Sequence, residues 1–139
     1  MNKAFKILPV ALAFGVAACG VRTTTTDVSP GVARAATCVN AVEVYDGRSD
    51  VPANYYELAW INAEGNSVWT TDNQMRETMR KRAAEVGANG LISNPVQQNK
   101  SGVSVLGEAV GANTATAKAS GLAIWMPSQS DRATLACGN

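Results

Sequence analysis

The alternation of apolar and polar residues along the chain predicts four short β-strands. Apolar side chains recur at alternate positions over residues 39–45 and 55–63, and a period of two is typical of a strand with one buried face. Over residues 122–126, Leu122, Ile124 and Met126 alternate with Ala123 and Trp125. The apolar pair at residues 91–92 predicts a further strand, which Pro95 interrupts or confines to a sheet edge. Turn-forming residues separate the first two strands, so we expect each to be a separate element.

A helix is predicted over residues 72–86, between the second and third strands. Its apolar residues recur at helical spacing and would form one stripe, which consists of Met75, Met79, Ala83 and Val86. Thr71 and Gln74 could form a capping box at the start of the helix, or Asp72 could itself be the N-cap. Gly87 stands where a glycine in the left-handed conformation commonly ends a helix.

These elements predict an α+β domain with the order β-β-α-β-β. One helix would lie across a face of an antiparallel or mixed sheet, with its apolar stripe packed on Tyr56, Leu58 and Trp60. Residues 101–121 are left unassigned, because fourteen of the twenty-one are Gly, Ala, Ser or Thr. A flexible loop and a small-residue helix over residues 103–110 are both open for this segment.

The N-terminus predicts a cleaved targeting segment. Lys3 and Lys6 precede an apolar stretch over residues 7–18, which is shorter than the roughly 20 residues that span a bilayer. The following run, Val16-Ala17-Ala18-Cys19, resembles the lipobox of bacterial lipoproteins. That resemblance implies cleavage before Cys19 and acylation of its sulfur and its amine. Gly20, in place of Asp, implies delivery to the outer membrane.

The predicted organisation has three parts. Residues 1–18 are the lipoprotein signal peptide, residues 19–37 are the lipid anchor and a flexible tether, and residues 38–139 are the small envelope domain. The tether contains four consecutive Thr residues. Thr favours strands, so a strand is an alternative there, but no apolar residue alternates with the Thr run.

The run RAAEVGANGLI, from Arg82 to Ile92, resembles a pattern in small bacterial envelope proteins. In that pattern a helix ending in Ala-Ala-x-x-Gly-Ala-Asn leads directly into an apolar strand, as in the Rcs stress-sensor lipoprotein family and the YbjQ-like heavy-metal-binding family. The resemblance implies a small α+β domain on a lipid anchor. Gly87 and Asn89 also have a structural interpretation, since the first can end the helix and the second can bond the backbone at the turn. The chain departs from both families, because its domain has one pair of Cys and no His.

The composition argues against catalysis and against nucleic acid as a partner. The chain has no His and a net charge of +1, so it lacks the commonest general base and metal ligand as well as a large basic excess. The sequence contains no Ser-x-x-Lys motif. We therefore expect no enzyme activity, no cofactor and no metal site. In an oxidising periplasm Cys38 and Cys137 predict a structural disulfide, with a free thiol or a redox-active pair as alternatives.

Two surface features are candidates for contacts with other molecules. Arg76, Arg80 and Lys81 share an exposed face of the predicted helix, which could contact anionic lipid headgroups or a cell-wall polymer. The simpler interpretation is a solvated helix face, since acidic residues on the same helix dilute the charge. Trp69 lies in the loop before the helix and is the tryptophan best placed for an exposed contact.

The sequence as a whole predicts a cell outer-membrane lipoprotein whose domain faces the periplasm. Its partners would be the membrane, through the lipid anchor, and an envelope protein, through which it has a structural or sensory role. The alternative is a periplasmic binding module for a small molecule, a metal ion or an envelope glycan. A deep pocket with convergent polar groups would favour the binding module, and a flat apolar patch would favour a protein interface.

Overall fold

Six strands and two α-helices form within the residues that the computed structural model describes, which are 20–29, 34–66, 70–94, 97–99 and 116–138. The predicted α+β class is confirmed. The strands are β1 (Arg22–Asp27), β2 (Glu43–Tyr45), β3 (Tyr56–Asn66), β4 (Gly90–Ser93), β5 (Gln97–Asn99) and β6 (Thr116–Trp125). The helices are α1 (Asp72–Glu85) and α2 (Ser130–Cys137).

The strands form one mixed sheet in the order β1-β3-β6-β4-β2, with β6 at its centre. On one side β6 pairs with β3, and on the other side it pairs with β4 and then with β5, all in the antiparallel sense. The β2–β4 pair is parallel, as expected for two strands that are joined through a crossover helix. Residues 116–121, the last part of the segment that the sequence leaves unassigned, form the first six of the ten residues of the central strand.

The helix α1 covers one face of the sheet with the predicted apolar stripe. Met75, Met79 and Ala83 are fully buried in the main core cluster, and Val86 packs against its edge. The N-cap is Thr71, and the predicted capping box is present: the Gln74 amide donates to the Thr71 hydroxyl, while the Thr71 amide donates to the Gln74 side chain. The helix begins where the capping residues predict and ends one residue before the predicted end.

The predicted partner face for this stripe is wrong at two of its three positions. Leu58 is buried in the core under α1, but Tyr56 and Trp60 are exposed, by 66% and 37%. For Trp60 the cause is a β-bulge, because the pairing of β3 with β6 slips by one residue between Glu57 and Ala59. Tyr56 precedes the bulge and pairs with Trp125, where β3 begins and β6 ends. A bulge reverses which residues face the core, so Ile61 joins Leu58 under the helix and Trp60 faces the other way.

The Thr run is a strand, so the prediction of a flexible tether over residues 19–37 is wrong for this part. Each residue of β1 pairs with a residue of β3, from Arg22 opposite Glu64 to Asp27 opposite Ala59. Val21, just before the strand, packs against the core. Thr residues suit a half-exposed edge strand, and β3 supplies the backbone partners that periodicity alone does not reveal.

The first predicted strand is shorter than expected, and the second helix was not predicted. Residues Val39–Ala41 form a 3₁₀ turn before β2, so Val42 is buried while Val44 is 37% exposed. Helix α2 follows β6 after the short turn Pro127–Gln129, and Arg132 joins the helix to the sheet edge. The Arg132 guanidinium donates to the carbonyl oxygens of Ala41 and Asn89.

Candidate functional site

The sheet face that points away from α1 has a covered half and an open half. In the covered half Ile92, Leu122, Ile124 and Met126 form a second apolar cluster under the connection that leads from β2 to β3. Arg48 holds that connection in place, because its guanidinium donates to Glu57 at 2.5 Å and to the Tyr55 hydroxyl at 3.2 Å. The hydrogen bond to Glu57, followed by that to Tyr55, raises the pKa of Arg48.

Tyr45 lies at the margin of the covered half. Partial burial, followed by a hydrogen bond to the Glu43 carboxylate and the negative charge of that group, raises the pKa of Tyr45 to about 12. The phenol oxygen lies 2.6 Å from the carboxylate oxygen. The protonated phenol donates this bond, so the bond is lost when Tyr45 ionises.

The open half is lined by polar side chains, and strand pairing sets them in rows. Thr24, Asn62 and Ser120 stand opposite one another on β1, β3 and β6. A second row contains Arg22, Glu64 and Lys118, in which the lysine nitrogen lies 3.6 Å from the carboxylate. We call the set formed by these rows and Asn94 the polar sheet face; its members are Arg22, Thr24, Asn62, Glu64, Asn94, Lys118 and Ser120.

These side chains surround a cleft of about 780 Å³. That volume lies within the range of small-ligand sites, roughly 300–1,000 Å³. Asn94 closes the row at one side, where its side-chain amide donates to the Ser120 hydroxyl at 3.0 Å. Because the lining is rich in hydroxyl, amide and charged groups, the cleft suits a polar surface or a polar ligand.

Part of the hydrogen-bonding capacity of the polar sheet face is unused within the protein. Among the described residues, Arg22, Thr24 and Asn62 have no side-chain hydrogen bond or ion pair. Each of them is exposed to solvent. A guanidinium, a hydroxyl and an amide therefore point outward on adjacent strands, ready to bind a molecule that presents acceptors and donors at similar spacing.

Trp60 borders the polar sheet face. It precedes Asn62 by two residues on β3, so the two side chains share one side of the sheet, and its cross-strand neighbours are Thr26 and Leu122. We expected this residue to be in the core, yet 37% of it is exposed. The aromatic contact predicted at Trp69 lies outside the described residues.

The basic residues predicted on α1 do not come together as a free patch. The Arg76 guanidinium pairs with Asp46 at 3.2 Å, and the Arg80 Nε donates to the Val42 carbonyl oxygen at 2.7 Å. Arg80 is half-buried, and it joins the helix to the residue that follows the 3₁₀ turn Val39–Ala41. Lys81 is exposed, so it is the member of the three that fits a solvated helix face.

The two domain cysteines are bridged. The Cα atoms of Cys38 and Cys137 lie 5.5 Å apart, a separation typical of disulfides. The bridge ties the segment before β2 to the last residue of α2, across 99 positions of sequence. The predicted lipidation site, Cys19, lies outside the described residues.

Sequence reasoning missed most of the polar sheet face, although a signal for it exists. Asn62 lies within the predicted strand over residues 55–63, and the polar Glu64 continues the alternation one residue beyond its predicted end. Thr24 lay in the segment interpreted as a tether, and Lys118 lay in the segment left unassigned. A single strand cannot show which residues of other strands lie beside it, and the rows depend on that pairing.

The site offers no arrangement for metal binding within the described residues. No group of three or more Cys, Asp or Glu side chains there is close enough to hold a metal ion. Among the residues that line the cleft, Glu64 is the single carboxylate, and Lys118 partly neutralises it. The chemistry available on the polar sheet face is hydrogen bonding, charge pairing and stacking on Trp60.

Comparison with known proteins gives one structural similarity. No family model matches the chain, and no curated protein matches it. The crystal structure of the Francisella virulence factor FvfA is similar, with a TM-score of 0.54 and 14% sequence identity, over 74% of this chain and 96% of that one. At this identity the similarity concerns the fold alone, so the resemblance to the Rcs and YbjQ-like families stays a prediction.

Proposed function

We propose that this chain is a non-catalytic lipoprotein of the outer membrane with a structural or sensory role, and that it acts through contacts of the polar sheet face with an envelope protein. The observation that carries the proposal is the set of outward-pointing polar side chains on three adjacent strands. Lipidation at Cys19 would hold the domain at the membrane. Among the described residues, no helix is long and apolar enough to cross a bilayer.

The bridged cysteines are consistent with this compartment. Disulfides persist in the periplasm and are rare in the cytosol, and the Cys38–Cys137 bridge closes nearly the whole domain. The bridge also fastens α2 to the segment before β2, at the sheet edge opposite β1, which leaves the polar sheet face uncovered by α2. The support for a protein partner is therefore a rigid sheet that presents exposed polar groups in fixed rows.

An envelope glycan is the second candidate ligand, and Trp60 is the observation that favours it. The apolar face of a sugar ring stacks on an indole, while its hydroxyls bind amide, hydroxyl and carboxylate groups. Trp60, Asn62 and Glu64 occupy successive positions on the same side of β3. A glycan chain that lies along this strand would meet stacking and hydrogen-bonding groups in turn.

Photo-crosslinking in living cells tests both candidates. A photoreactive amino acid at Asn62 should give a specific covalent adduct, while the same group at Lys81, which is exposed on α1, serves as the matched control. A protein adduct at position 62 supports the leading proposal, and a protease-resistant adduct removed by a glycan hydrolase supports the second. Specific adducts at position 81 with none at position 62 would contradict both.

A further inference from the structure

The distance between the predicted lipid and the folded domain is very short. Val21 packs against the main core cluster, and Arg22 is already paired with Glu64 in the sheet. Val21 follows Cys19 by two residues, which span at most about 7 Å when fully extended. An acyl chain on Cys19 would therefore be attached almost directly to the first strand.

The position of β1 decides which end of the domain would meet the membrane. Since β1 begins at Arg22 and β3 runs antiparallel to it, the end of β3 and the start of β6 lie at the same end of the sheet. We call this the anchor end and define it by Val21, Arg22, Glu64 and Lys118. The other end, where Arg48 contacts Glu57 near the start of β3, lies about 23 Å from Glu64 along the strand.

We infer that the domain stands with its anchor end against the lipid headgroups of the bilayer. The inference rests on the proposed lipidation of Cys19, because that modification fixes the anchor end to the membrane surface. Two long cationic side chains at this end, Arg22 and Lys118, are exposed. They can extend toward headgroup phosphates, and Arg22 has no ion-pair partner among the described residues.

This orientation assigns the membrane contact and the partner contact to different parts of the domain. The sheet stands on its anchor end, so the row of Arg22, Glu64 and Lys118 lies at the membrane. The remaining members of the polar sheet face, Thr24, Asn62, Asn94 and Ser120, lie farther out and stay open to a partner in the periplasm. Lys81 lies in the second half of α1, near the level at which Arg82 contacts Thr25, and is therefore farther from the anchor end. The residues that meet the membrane are those beside β1, in place of the basic helix face considered first.

Lipid photo-crosslinking with the acylated protein in phosphatidylethanolamine–phosphatidylglycerol vesicles tests the orientation. A photoreactive amino acid at Lys118 should form phospholipid adducts, and the same group at Ser49, near the opposite end, should form none. A flexible insertion of about twelve Gly and Ser residues after Gly20 spans about 19 Å and should abolish the adduct at position 118. Position 22 serves as a second anchor-end probe, and thermal melts confirm that each variant is folded.

The outcomes separate this inference from the proposed function. Equal lipid adducts at positions 118 and 49, or an adduct at 118 that survives the insertion, would overturn the orientation while leaving the lipoprotein proposal in place. If the protein isolated from bacterial membranes carried no acyl groups, that result would contradict the lipoprotein proposal and, with it, the orientation. Adducts at positions 118 and 22 alone, lost on insertion, support the inference.

Discussion

The side chain of Asn89 pairs with the backbone of Met126 in both directions. The Asn89 amide nitrogen donates to the Met126 carbonyl oxygen, and the Met126 amide donates to Asn89 Oδ1, each at 2.8 Å. Asn89 is fully buried, and its own backbone oxygen accepts from Glu43 and Arg132. One residue of the Gly-Ala-Asn run therefore joins the end of the central strand to the sheet edge and to α2.

Replacing Asn89 with Ala should destabilise the domain by about 3 kcal/mol, because it leaves two buried backbone groups of Met126 without partners. Urea unfolding followed by circular dichroism measures the change. Asn94→Ala is the matched control, since Asn94 is exposed and bonds only at the surface, and it should stay within about 0.5 kcal/mol of wild type. Equal stability of the two variants would show that the pairing contributes nothing.

Gly87 should tolerate no side chain. It has φ +81° at the end of α1, and a Cβ atom there would lie 2.6 Å from the Arg34 Cβ and 2.7 Å from the Ala35 oxygen. Gly87→Ala should therefore lower the free energy of unfolding by at least about 1–3 kcal/mol, which is the strain of holding a residue with a side chain in the left-handed conformation. Gly47→Ala provides the control, because Gly47 is extended and its Cβ would meet atoms only beyond 3.4 Å. If the Gly87→Ala and Gly47→Ala variants had the same melting temperature, this account of the helix end would be wrong.

Charge substitutions on α1 should give three distinct results. Met79→Asp buries an unpaired charge in the core and should unfold the domain. Arg80→Asp removes the bond to the Val42 carbonyl and should cost about 1–2 kcal/mol, whereas a solvated face predicted almost no effect. Lys81→Asp should leave the melting temperature unchanged, because Lys81 is exposed. Thermal melts distinguish the three, and a stable Met79→Asp variant would mean that the helix faces the other way.

Stability should fall at alkaline pH because of Tyr45. Its pKa is about 12 in the folded protein against an ordinary value of 10.0. Between these values the unfolded tyrosine loses its proton while the folded one keeps it, so the stabilisation is complete below pH 10 and declines as the pH rises toward 12. Denaturant melts across this range should show a smaller decline in Tyr45→Phe. An identical decline in the two proteins would exclude Tyr45 as the cause.

Local signals in the sequence were sufficient for α1 and for the fold class. The capping box at Thr71, the stripe through Met79 and the glycine at position 87 all depend on neighbours within a few residues. These predictions are confirmed because helix ends and helix faces are determined by short-range contacts.

The bulge in β3 and the strand formed by the Thr run depend on pairing with distant residues. The slip near Leu58 requires β6, and β1 requires β3 as its partner. Periodicity in one segment contains no information about such pairing. The candidate site was missed for the same reason, since Thr24, Asn62 and Ser120 are neighbours only across the sheet.

Mass spectrometry of the mature N-terminal peptide, taken from the membrane fraction of cells, tests the central claim most directly. The proposal predicts a peptide that begins at Cys19 and carries a diacylglycerol on its sulfur and a further acyl chain on its amine. Cys19→Ser should then release the protein from the membrane, because the lipid supplies the anchor. An unmodified N-terminus at any residue, in protein that still partitions with the membrane, would contradict the account.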